Sequence, residues 1–244
     1  MIKSVAFLFC ILSFQACFRN GQKRNIRAYY FPLDSFMDGK VYEYRPVNDS
    51  LAPFYWYFRT SVYSGDTILT SEYFDHNFEV QQLTNEELVK NGVVLNDFFL
   101  YEKDTLDNRQ VPVSVRVEVD NVFPFEVTDS KGLFLYKVSW RDYYNPALKY
   151  RLIRNKHFLG DTIYTFKGKE VEGIRFFNRE LLEVEEKGFQ EIAYQGYEIY
   201  AKKIGLVYFK KEIGSDIVQE YKLSDIYEMN DLEERFRRYL EQIN

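Results

Sequence analysis

Val111-Pro112-Val113-Ser114-Val115-Arg116-Val117-Glu118-Val119-Asp120 sets five valines at every second position, with proline, serine and charged residues between them. Side chains of an extended chain point alternately to two faces, so the stretch predicts one strand with an apolar face and a mostly polar one. Its surroundings agree: the 244 residues include 21 Tyr and 22 Phe, types that suit a pleated, half-buried surface.

A second strand is predicted at Phe54-Tyr55-Trp56-Tyr57-Phe58-Arg59-Thr60. It sends Phe54, Trp56 and Phe58 one way and Tyr55, Tyr57 and Arg59 the other. Both faces are aromatic, which favours a strand buried on both sides of a curled sheet. Tyr55, Tyr57 and Arg59 are the candidate ligand face.

Asn91-Gly92 lies between Glu87-Leu88-Val89 and Val93-Val94-Leu95 and predicts a type I′ hairpin, because both residues tolerate positive φ. Gly65-Asp66, Gly160-Asp161 and Gly196 read as further turns. No strand alternates with a long helix, so a parallel α/β sheet is not expected. Gly65-Asp66-Thr67-Ile68-Leu69-Thr70 recurs as Gly160-Asp161-Thr162-Ile163-Tyr164-Thr165; an internal duplication and convergence on one favourable turn both explain it. At the end of the chain, Asn230 before Asp231-Leu232-Glu233 resembles a helix start, and Leu232, Phe236, Tyr239 or Leu240, and Ile243 recur at helical spacing. The expected fold is mainly β: a large curved antiparallel sheet, half-barrel or sandwich, closed by a short helix over 231–243.

The first residues read differently. Lys3 precedes the run Val5-Ala6-Phe7-Leu8-Phe9-Cys10-Ile11-Leu12-Ser13-Phe14, the layout of a secretory signal peptide, too short to span a membrane as a helix. Phe14-Gln15-Ala16-Cys17 follows, and it resembles the lipobox of bacterial lipoproteins. The resemblance implies cleavage before Cys17 and acylation of its thiol. The expected organisation is a signal peptide at 1–16, a lipidated cysteine and flexible tether at 17–30, and one antiparallel β domain from 31 to 244. Cys10 lies in the segment to be removed, so the mature chain has one cysteine and can close no internal disulfide. Phe18-Arg19-Asn20-Gly21-Gln22 lacks the acids that follow the cysteine in some surface-exported lipoproteins, which implies an outer-membrane anchor facing the periplasm. Tyr200-Ala201-Lys202-Lys203-Ile204-Gly205-Leu206-Val207-Tyr208 also resembles a strand-turn-strand near the end of many envelope lipoproteins, and Gly205 would let it bend.

Chemical motifs are missing. The net charge of −5, with acids and bases interspersed, carries no footprint for nucleic acid. Only Arg19, Lys23, Arg24 and Arg27 form a locally basic stretch, read as a solvated tether. His76 and His157, the only histidines, sit in no nucleophile motif. Zinc, EF-hand and nucleotide-binding spacings are absent, so no metal and no cofactor is expected. Glu183, Glu185, Glu186, Asp104 and Asp107 could supply a glycosidase pair only if two faced each other across a cleft. The leading expectation is a non-enzymatic, membrane-anchored lipoprotein that binds an apolar ligand or a protein partner. A structural or assembly component of the envelope is the alternative, followed by a carbohydrate-active hydrolase.

Overall fold

The computed structural model describes residues 23–48, 51–128, 133–214 and 217–243; the expected signal peptide at 1–16 and the lipobox-like Phe14–Cys17 lie outside them. Fifteen strands and one α-helix are described: β1 (Lys23–Asn25), β2 (Lys40–Pro46), β3 (Phe54–Tyr63), β4 (Asp66–Phe74), β5 (Val80–Val89), β6 (Gly92–Lys103), β7 (Gln110–Ser114), β8 (Arg116–Pro124), β9 (Glu126–Thr128), β10 (Leu133–Arg141), β11 (Lys149–Phe166), β12 (Lys169–Glu185), β13 (Phe189–Ala201), β14 (Gly205–Ile213), β15 (Ile217–Tyr227) and α1 (Met229–Ile243).

Twelve of these strands form a closed antiparallel barrel. The chain runs up and down through β2, β3, β4, β5, β6, β8, β10, β11, β12, β13, β14 and β15, and β15 then pairs with β2 at Leu223 opposite Tyr44 and Lys222 opposite Arg45. The half-barrel or sandwich is therefore corrected to a barrel. The reason is that closure rests on this one seam between distant strands. A local pattern cannot specify such a pairing, yet it removes both exposed sheet edges. β7 pairs with β6 outside the ring, and β1 with β9 forms a separate two-stranded ribbon.

The valine stretch holds a second correction. It is two strands broken at Val115, with β7 on β6 and β8 on β10. A bulge opposite Lys137 and Val138 then shifts the alternation, so that Val117 lies across from buried Val138 and Val119 from Lys137. The hairpin at Asn91 exists, but Lys90 and Asn91 form its two-residue loop and Gly92 begins β6. The two Gly-Asp-Thr copies occupy different settings. Gly65 belongs to the Ser64-Gly65 turn between β3 and β4, whereas Gly160, with φ of 117°, sits at a bulge inside the 18-residue β11. Gly196 is no turn either. It lies within β13, where a Cβ would overlap the Lys210 carbonyl of β14.

One end of the barrel is plugged. Tyr29 and Phe36 are buried there on two short 3₁₀ turns at Arg27–Tyr29 and Leu33–Phe36, and Ile26 and Tyr30 flank the first turn, also buried. Phe31 packs on Phe58 with ring centroids 4.4 Å apart. The expected tether at 17–30 thus becomes part of the fold from Lys23 onward, because β1 pairs with β9 and the Ile26 amide donates to the Phe125 carbonyl at 2.8 Å.

Helix α1 packs on the outside of the barrel, starting two residues before the expected position. Leu232 is buried with Val41, Tyr55 and Phe74, and Arg235 pairs with Glu43 beneath the helix. Elsewhere the outer face is charged: Lys137, Glu118, Arg151 and Glu183 form a belt of ion pairs across four strands. An aromatic interior within a charged exterior is the reverse of a membrane-spanning barrel.

Candidate functional site: a cavity in the barrel lumen

Inward alternation on the twelve strands collects a wall of rings, among them Tyr44, Trp56, Phe58, Phe98, Phe123 and Phe134. They do not fill the lumen. An inner chamber of about 250 Å³ lies above Tyr30 and Phe31 of the plug. It shares Trp56, Gln82, Arg154, Glu198 and Leu206 with an outer chamber of about 340 Å³, which extends to the partly exposed Tyr194, Lys211 and Gln219.

Charged side chains line this space from β5, β11, β12, β13 and β14. Lys156 Nζ lies 2.8 Å from Glu198 Oε2 and donates to the Tyr200 hydroxyl at 3.0 Å, while that hydroxyl donates to Glu198 Oε2 at 2.9 Å. Glu180 stands between Arg154 Nε at 2.9 Å and Lys211 Nζ at 2.7 Å. Glu86 accepts a 2.5 Å hydrogen bond from Tyr30 of the plug. Burial pushes the carboxyls of Glu180 and Glu198 up, yet the cations beside them, Arg154 and Lys211 at Glu180 and Lys156 and Arg154 at Glu198, hold both below the usual range. Glu86 ends above its usual value, because burial outweighs Tyr30, Lys156 and Arg154. The buried charges are thus paired, as a low-dielectric interior requires.

The residues singled out by sequence lie elsewhere. Tyr55, Tyr57 and Arg59 are on the outer face of β3, the side away from the cavity. Tyr55 is buried and stacks on Phe78 at 5.1 Å, Tyr57 is half-buried, and Arg59 is exposed. His76 is exposed in the turn between β4 and β5, and His157 is on β11 opposite Phe177. Glu183 pairs with Arg151 on the outer belt; Glu185 ends β12 and Glu186 follows it, and Asp104 and Asp107 lie between β6 and β7. None of these acids lines the lumen chambers. Among the described residues no group of three His, Cys, Asp or Glu converges as a metal site. The residues that sequence reading missed are Arg154, Lys156, Glu180 and Glu198. Their available signal was a charge at inward positions of strands whose other inward residues, such as Phe158 and Phe176, are apolar.

Fold and site together define a plugged, twelve-stranded up-and-down barrel with an ion-paired aromatic lumen. No known family model matches the chain, and no curated protein matches it in sequence. Two crystal structures share the fold. One is a "putative lipoprotein" from Parabacteroides distasonis, at 12% identity and TM-score 0.53, the match covering 82% of this chain and 98% of that one. The other is a "putative exported protein with YmcC-like fold" from Bacteroides fragilis, at 13% identity and TM-score 0.50, covering 82% and 99%.

Proposed function

We propose that the protein is a lipid-anchored envelope lipoprotein whose barrel lumen holds a small amphipathic ligand without transforming it. The carrying observation is the lumen itself: a plugged floor, aromatic walls and a few convergent polar groups around two connected chambers, the usual character of a ligand site. The descriptions of the two fold neighbours, one a lipoprotein and one exported, support the envelope setting, as does the lipobox resemblance at Cys17. Periplasm-facing attachment to the outer membrane is the finer part of the same reading.

Two measurements test it. Replacing Cys17 by Ser should move the folded protein from the membrane to the soluble fraction; retention on the membrane would refute the anchor. Native mass spectrometry of the protein purified in mild detergent should show a bound small molecule that is lost from a Leu206→Trp variant, whose larger ring fills the waist between the chambers. A ligand retained by that variant would place binding outside the lumen.

A further inference from the structure

Arg154 is the lumen cation whose donors are least used. A guanidinium carries five N–H donors and no acceptor. Yet Arg154 is ion-paired to Glu180 alone, through Nε at 2.9 Å with that N–H poorly aligned, and among the described residues no second carboxylate comes within ion-pair distance of it. Its neighbours are saturated instead. Glu180 also takes Lys211, and Glu198 takes Lys156 and Tyr200. The guanidinium lies near the Tyr136 ring, 5.7 Å from its centroid, and a third of the side chain (34%) is accessible although strands surround it. That accessible surface belongs to the lumen, since Arg154 lines both chambers at their waist. Buried polar groups in native proteins are normally satisfied, and a planar fork in a low-dielectric cavity matches a carboxylate or phosphate.

We infer that the lumenal ligand is an anion: a carboxylate or phosphate seated on Arg154, with an apolar body lying in the inner chamber against Trp56, Phe98, Phe123 and Phe134. The inference rests on the ligand-holding reading above and adds the charge and orientation of the occupant. Arg154 stands at the waist between the chambers, so a headgroup seated on it leaves the apolar body to the inner chamber, toward Glu86 and Tyr30 at the plug.

The chain has two tryptophans, so a Trp140→Phe background leaves Trp56, on the cavity wall, as the sole reporter. Decanoate, decyl phosphate and decanol are titrated into this protein below their micellar concentrations. An anion is expected to bind at least roughly tenfold more tightly than decanol, the scale of one charge-assisted hydrogen bond. The stronger of the two anions identifies the headgroup chemistry. Arg154→Gln should remove that preference while keeping decanol binding, and Arg154→Lys, which keeps the charge and loses the fork, should fall between. Equal affinity for the three probes in the unsubstituted lumen overturns the anion while leaving lumenal binding standing, and needs no variant to fold. Silence of Trp56 to all three overturns both. An anion preference that survives Arg154→Gln overturns the assignment of the seat.

Discussion

The two faces of β3 carry nearly the same chemistry and reach opposite ends. Inward, Phe54, Trp56 and Phe58 line a lumen that keeps open space. Outward, Tyr55 and Tyr57 meet Phe78 and the residues around α1, and no such space remains at Tyr55. Each face also has a buried carboxylate nearby held by cations: Glu198 and Glu180 inside, and Glu43 outside with Arg45 at 2.6 Å and Arg235. The difference is in what stands opposite. A helix can settle against a sheet until its side chains interlock, whereas the opposing walls of a closed barrel are held apart by strand number and tilt. Aromatic composition therefore does not mark a site; the geometry that prevents collapse does.

This contrast can be broken most forcefully inside. Lys156→Met leaves Glu198 with Tyr200 but without its nearest cation, and should cost about 3–5 kcal/mol in urea unfolding, with much of the loss recovered when Glu198→Gln is added. Two separate additive losses would mean the lumen charges are not a unit. Outside, Leu232→Ala should cost about 2–3 kcal/mol, near the low end for a buried leucine. Amide exchange should accelerate in α1 and stay slow in the barrel strands. Uniform acceleration would show that the helix and barrel unfold together.

Acid should act mainly through the lumen. Glu180 and Glu198 have folded pKa values below their ordinary 4.5. Their contribution is thus complete above that value and is lost as pH falls through the depressed folded values. Glu86, shifted upward, gains stability over the same descent, so Glu86→Gln should steepen the acid loss. Denaturation midpoints between pH 6 and 3 check both signs, and a shallower loss in Glu86→Gln would reverse the assignment. The smallest effect belongs to Arg59, exposed on the outer face. Arg59→Ala should change stability by less than about 0.5 kcal/mol and leave Trp56-reported binding untouched.

Much of the strand content was legible. Alternation located β3, the hairpin at Asn91 and the valine strands, and helical spacing located α1. The break at Val115 was not, because the valines keep their spacing along the chain while the pairing passes from β6 to β10 and the register slips at the bulge. The bulge at Gly160 was hidden for a related reason: glycine and aspartate suit a turn and a bulge equally well. The lumen charges were hidden more deeply. Arg154 and Lys156 look like any polar positions on a strand until Glu180 of β12 and Glu198 of β13 are brought beside them.

By itself the sequence determined the mainly β character, the terminal helix and the lipobox resemblance at Cys17, because each is written in residues near one another along the chain. Tertiary structure alone decided that the sheet closes, which aromatic face is covered, and that Arg154 meets a single carboxylate in a cavity. Those outcomes depend on the seam between β15 and β2 and on side chains dozens of residues apart, and periodicity along a strand gives its faces without saying what each face meets.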